Sequence, residues 1–217
     1  LFNQIFGSNP RGMWPPEGSV SDDALALYIE NDVEWLATDE EIIYRSLNLE
    51  CRKDGGGFHL NPDVLYKPYL YEKNGKCIYV LFRDKTLSDL ISFHYSKTHP
   101  KDAAMDLIGR IKHIGRSVEG RIHNPLITIA MDGENAWEGY SNDGRDFFRY
   151  LYEGLLRENG IVCPTVSEYL QDAKDVGRFH HCFAGSWIAN NFSIWIGHPE
   201  DNMSWSLLSE TRDFLEE

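Results

Sequence analysis

Residues 126–131, Leu-Ile-Thr-Ile-Ala-Met, form an unbroken, largely apolar and β-branched run that stops abruptly at Asp132-Gly133-Glu134. A short run of this kind has the composition of a strand covered on both faces, as found in parallel sheets flanked by helices. In such folds ligands bind outside the carboxyl ends of the strands, so the two acids stand where a crevice is expected. If the chain stays extended through Gly133, Asp132 and Glu134 point to one side. Two close carboxylates repel, and the pKa of at least one rises toward the range of a general acid. The competing reading is that they open a solvated loop or cap a helix, and pattern alone leaves both open.

The rest of the chain supports an α/β reading. Ser21-Asp22-Asp23 supplies an N-cap oxygen and first-turn acids for a helix to about Asn31. Val33 to Asp39 reads as a short strand ending in a carboxylate, and Asp39-Glu40-Glu41 opens a helix through about Leu49. This alternation is the signature of parallel β/α units. Gly55-Gly56-Gly57 is a surface excursion. Lys73-Asn74-Gly75-Lys76 is a hairpin turn between arms at 65–72 and 77–83, the second ending in Arg83-Asp84. Helices follow with Leu87, Leu90, Ile91 and His94 on one face, then from Pro100 through Ile114, then over 145–159. Gly160 to Cys163 is a weak strand, Thr165 to Ala173 a short helix with Ser167 as a possible cap, and the tail an amphipathic helix. Core packing is expected of Trp195 and Trp205.

Composition narrows the function. With 217 residues, 42% of them hydrophobic, the chain can bury one real core. A net charge of −13 argues against nucleic acid or an anionic membrane as partner. No run approaches a membrane span, nothing resembles a signal peptide, and the first residue is Leu, as in a processed or excised piece. Cys51, Cys77, Cys163 and Cys182 form no CxxC pair, so reduced, mostly buried thiols and a cytoplasmic location are expected, without zinc. His180-His181 lacks a spaced partner and reads as structural or substrate-bonding; no metal or cofactor is expected. Strand ends at Asp39, Arg83-Asp84 and Asp132-Glu134, with Glu17 on the stiff Trp14-Pro15-Pro16 loop, would open onto one rim of a β/α barrel. Carboxylates, Arg and Trp without a lysine stripe suit a neutral polyhydroxylated ligand. Paired carboxylates are also the minimum equipment for glycosidic cleavage, though other chemistries use them.

Two segments carry a resemblance. Gly12-Met13-Trp14-Pro15-Pro16-Glu17-Gly18-Ser19-Val20 resembles the nucleophile segment of glycoside hydrolase family 57, and Met131-Asp132-Gly133-Glu134-Asn135-Ala136-Trp137-Glu138 its acid/base segment. Thr38-Asp39-Glu40, the run from Phe82 to Ile91, Gly185-Ser186-Trp187 and Trp195-Ile196-Gly197 also fit, in order, over most of 10–212, most like the amylopullulanase and α-amylase branch. The resemblance implies an incomplete, irregular seven-stranded β/α barrel over 1–165 and a helical segment, 166–217, packed on it. It implies retaining action on α-glucans, with Glu17 as nucleophile and Asp132 as general acid/base. Trp14, Glu134, Trp137 and Trp187, within the matching segments, would line sugar subsites; Asp84, Arg83 and His181 are further substrate-binding candidates. The partners implied are an α-glucan or maltooligosaccharide and the N-terminal part of the same barrel, because the family's His-Gln-Pro and Gly-Gln-Leu-Glu-Ile-like motifs do not occur here. Rival readings are a non-catalytic glucan-binding remnant, a 4-α-glucanotransferase, and a metal-dependent hydrolase using the rim acids with His180-His181.

Overall fold

The computed structural model describes residues 1–216, apart from the side chains of residues 134–136. In chain order the first elements are α1 (Phe2–Phe6), β1 (Gly12–Met13), α2 (Asp22–Glu30), β2 (Trp35–Asp39), α3 (Glu40–Ser46), α4 (Pro62–Leu65), β3 (Tyr69–Lys73) and β4 (Lys76–Arg83). There follow α5 (Lys85–Asp89), α6 (Pro100–Ser117), α7 (Gly133–Glu138), α8 (Arg145–Arg157), α9 (Val166–Asp172), β5 (Gly177–Phe179) and α10 (Pro199–Glu216).

Local chemistry explains several of these boundaries. Ser21 Oγ accepts the Ala24 amide at 3.1 Å and starts α2. Asp39 and Asp84 do the same for α3 and α5, accepting the amides of Glu41 and Leu87. Asn74 and Gly75 take left-handed φ values of 54° and 76°, the geometry of a tight hairpin turn between β3 and β4. At α9 the cap is Thr165, not Ser167. Thr165 Oγ1 accepts the Glu168 amide while the Glu168 carboxylate accepts the Thr165 amide, a reciprocal capping box. The segment 160–163 forms no strand, and α3 ends at Ser46.

The strands make one mixed sheet in the order β1-β2-β4-β3-β5. β1, β2 and β4 are parallel, β3 is antiparallel to β4, and β5 is parallel to β3. The doubly covered run belongs to β4, where Val80, Leu81, Phe82 and Arg83 are buried in succession. Residues 126–131, expected to be the central buried strand, are only half-buried and join the sheet through a single parallel bridge, Thr128 to Arg83. The reason lies in β3. It lines β4 from Lys76 to Val80, leaving only the carboxyl end of β4 open, and the run docks there through the Asp84 amide on the Thr128 carbonyl at 2.8 Å.

Helices α6 and α8 pack together, burying Leu107, Ile108, Phe147 and Leu151. Against expectation Trp205 is 51% exposed, and no residue of α10 is buried. Among the described residues no helix is long and apolar enough to cross a membrane. Cys182 is buried and Cys51 half-buried, but Cys77 and Cys163 are exposed.

Candidate active site

Parallel pairing of β1, β2 and β4 brings three strand ends to one edge of the sheet. Beyond β1 lies the Trp14 to Glu17 loop, β2 ends at Asp39, β4 ends at Arg83, and the docked run 126–131 leads into Asp132. Asp39 and Arg83 are direct register partners.

The Glu17 loop is unusual backbone. Pro16–Gly18 is a single tight turn in which Glu17 sits at φ 55° and ψ 23°, the left-handed region. A side chain other than glycine there costs about 1 kcal/mol, so its surroundings must impose it. They do so from several directions. Thr38 Oγ1, from β2, donates to the Gly18 carbonyl at 2.6 Å. The Trp187 amide donates to the Glu17 carbonyl at 3.1 Å, and Val20 and Gly185 exchange amide bonds at 2.9 and 3.0 Å. Gly18, at φ +59°, has the Trp14 ring 3.1 Å from where a Cβ would stand, so a side chain there would meet both strain and crowding.

The exposed Glu17 carboxylate is aimed by one side chain. Trp187 Nε1 donates to Glu17 Oε2 at 2.8 Å. The Trp187 ring meets that of Trp14 at 4.9 Å, and the Arg83 guanidinium lies 4.7 Å from its centre. Arg83 Nε donates to Asp39 Oδ2 at 2.9 Å and Arg83 Nη1 to the Ala130 carbonyl at 3.1 Å. The Ala130 amide in turn donates to Ser88 Oγ at 3.2 Å. Burial pushes the Asp39 carboxyl pKa up, Arg83 opposes that shift, and neighbouring Glu40 adds to it.

Two residues beyond Ala130, half-buried Asp132 takes the N-cap position of α7. The chain therefore turns into a helix at Gly133 instead of staying extended, which is the competing, helix-capping reading of Asp132. The assignment of Glu134 to a sugar subsite falls on a side chain outside the described residues. Trp137, also on α7, is half-buried and packs on Tyr140 and Phe148 at 5.3 and 4.3 Å.

Not every expected site residue joins this group. Asp84 is buried and accepts from Tyr66 Oη at 2.7 Å and from the Leu87 amide at 2.9 Å. His181 is exposed and its Nδ1 pairs with Asp22 Oδ2 at 2.7 Å. Thr38 and Ser88 lie inside segments that carry the resemblance, but the sequence gives them no role; both are small polar residues whose roles depend on distant backbone.

A second polar cluster lies beneath the rim. Buried Glu40 meets Lys53 Nζ at 2.5 Å, His59 Nε2 at 3.1 Å and the Lys85 amide at 2.7 Å. Burial favours its neutral form, but the His59 hydrogen bond and the Lys53 charge prevail, and its pKa falls to about 2. Cys51 lies 3.8 Å from both Glu40 and His59, and one ligand atom from each of the three falls within 4.8 Å of the others. Lys53 already holds the Glu40 carboxylate, and burial, reinforced by Glu40, pushes the Cys51 thiol up to about 12. A cation would have to displace an ammonium and ionise that thiol, so the donor set fits a closed ion-pair cluster better than a metal centre.

The rim thus offers an exposed carboxylate oriented by an indole, a second, half-buried carboxylate, and two tryptophan rings. Solved structures share its framework. The chain is similar to a GH57-type branching enzyme from Pyrococcus horikoshii, with TM-score 0.71 and 18% identity over 94% of this chain and 45% of that one. A GH57 branching enzyme from Thermococcus kodakaraensis, solved in complex with glucose, gives 0.73 and 15% over 94% and 47%. A 4-alpha-glucanotransferase from Thermococcus litoralis gives 0.61 and 17% over 98% and 30%. The chain thus spans less than half the length of each of these structures, and at such identities the likeness concerns the fold. No curated protein sequence matches the chain. The model of glycosyl hydrolase family 57 matches residues 1–180, most of the 217. The chain therefore belongs to glycosyl hydrolase family 57.

Proposed function

We propose that this chain carries the catalytic residues of an α-glucan-active enzyme working by double displacement, with Glu17 as nucleophile and Asp132 as general acid/base. The observation that supports this best is the Glu17 turn: a strained, exposed carboxylate fixed through Thr38, Gly185 and Trp187 and aimed by an indole N–H. Strain retained at an exposed acid, where a glycine would relieve it, is the pattern of a functional constraint.

In this reading Asp132, protonated, donates to the glycosidic oxygen while ionised Glu17 attacks the anomeric carbon, and the leaving sugar departs with the proton. A glycosyl ester on Glu17 results. Asp132 then takes a proton from water, or from a sugar hydroxyl in transfer, and the oxygen attacks the ester carbon to regenerate Glu17. The carboxyl groups are expected roughly 5–5.5 Å apart, as retention requires. Trp14 and Trp187 offer ring faces to the sugar. The mixed sheet is read as part of an irregular barrel, and amylopullulanase-like and α-amylase-like hydrolysis as the first activity to test. Glucan transfer is the alternative, since one of the similar structures is a glucanotransferase.

The test is turnover of a defined maltooligosaccharide by the protein carrying this chain, with the products' anomeric form followed by NMR. Glu17→Gln and Asp132→Asn are each expected to lower kcat by more than about 10³-fold, and the first-formed product to be the α-anomer. Activity preserved in either variant, or a β-anomeric first product, contradicts the assignment.

A further inference from the structure

We propose that Arg83 is a positioning residue that ties the Glu17 turn to the Asp132 turn, instead of a substrate-binding one; this rests on the catalytic reading above. One guanidinium makes the three contacts that span the site. Its Nε holds Asp39 at 2.9 Å, its Nη1 holds the Ala130 carbonyl at 3.1 Å, and its Cζ lies over the Trp187 ring, 4.7 Å from the centre. Trp187 carries the contact onward to Glu17 Oε2 at 2.8 Å, and Ala130 lies two residues before Asp132. The side chain of Arg83 is only 6% exposed and that of Asp39 fully buried; Nε and Nη1 both face protein acceptors, and little of the group reaches solvent.

Only a planar fork can serve these directions together. The guanidinium donates to two separate acceptors while its centre stays over the indole, which a lysine ammonium cannot reproduce. Asp39 fixes the fork from below, being held itself by the Glu41 amide at 3.2 Å. Loss of the fork lets the turns drift relative to each other, and misplacement by about 1 Å costs about 10²-fold in rate.

The experiment is a double-mutant cycle on maltooligosaccharide turnover with Arg83→Lys, Trp187→Phe and the pair, beside Glu17→Gln as reference. Thermal unfolding selects variants that fold, and Asp39→Asn replaces Arg83→Lys if the latter does not. The expected result is a fall in kcat of about 10²-fold for Arg83→Lys with KM changed less than about threefold, and a double variant little worse than the poorer single one. Added guanidinium ion is expected to restore part of kcat to Arg83→Ala. A rise in KM with kcat preserved, or effects that simply multiply, overturns the inference. If Glu17→Gln is inactive while Arg83→Lys keeps full kcat, this inference alone falls; if Glu17→Gln is fully active, the catalytic reading falls first.

Discussion

The hydroxyl of Thr38, at the fully buried end of β2, donates to the Gly18 carbonyl at 2.6 Å and so holds the strained turn of Glu17 from the sheet side. Replacing Thr38 by Val keeps the shape but leaves a buried carbonyl without that donor. The expected cost is about 1–3 kcal/mol of stability, with a fall in kcat larger than any change in KM. Thr38→Ser, which keeps the hydroxyl, is the control. Urea unfolding and steady-state kinetics on the three proteins check it, and a Thr38→Val protein with wild-type kcat contradicts the role given to this bond.

Glu40 makes the protein sensitive to acid. Its pKa is about 2 in the folded state against 4.5 ordinarily, because the His59 and Lys53 contacts outweigh burial. A depressed carboxylate contributes stability that is fully present above pH 4.5 and is lost as pH falls toward about 2. The loss is on the order of 3 kcal/mol. Glu40→Gln is expected to be less stable at pH 6, where Lys53 loses the opposite charge beside it, and to show a flatter decline below pH 4.5. Denaturant unfolding at pH 6, 4 and 3 checks this, and parallel declines in the two proteins count against it.

The thiols are expected to divide into two classes. Cys77 and Cys163 are exposed, whereas burial, helped by Glu40 and Asp22 respectively, pushes Cys51 and Cys182 up to about 12. Since the thiolate is the reactive form, a disulfide reagent at pH 8 is expected to modify Cys77 and Cys163 fast, and Cys51 and Cys182 only at the rate of unfolding. Four equally fast thiols contradict the packing around Glu40 and Asp22.

How far the sequence anticipates this structure depends on the range of the forces involved. The Ser21 cap, the Asn74-Gly75 turn and the Asp39 and Asp84 helix starts are legible because each is settled within four residues. Thr165 with Glu168 three positions on was equally legible as a capping box, and Ser167 was the wrong oxygen of the two. The run 126–131 looks like a central strand because composition records β-propensity but not vacancy beside β4, which β3 mostly fills. The extended path expected through Gly133 gives way to a helix that starts there, a local choice that the pattern left open. Trp187, Arg83 and Glu17 were each singled out, yet their mutual contacts join residues 170 and 104 positions apart, and no local pattern encodes those. The cluster of Glu40, Lys53 and His59 left no signal beyond a histidine and a lysine flanking the triple-glycine excursion.

The most direct measurement is to trap the covalent intermediate and locate it. Incubation with 5-fluoro-α-glucosyl fluoride slows the breakdown of a glycosyl ester more than its formation, and peptide mass spectrometry then reads the site. A single label on the peptide holding Glu17, absent in Glu17→Gln and longer-lived in Asp132→Asn, is the expected result. A label on another carboxylate, or none in a protein that still turns over maltooligosaccharide, contradicts the assignment of Glu17 as nucleophile.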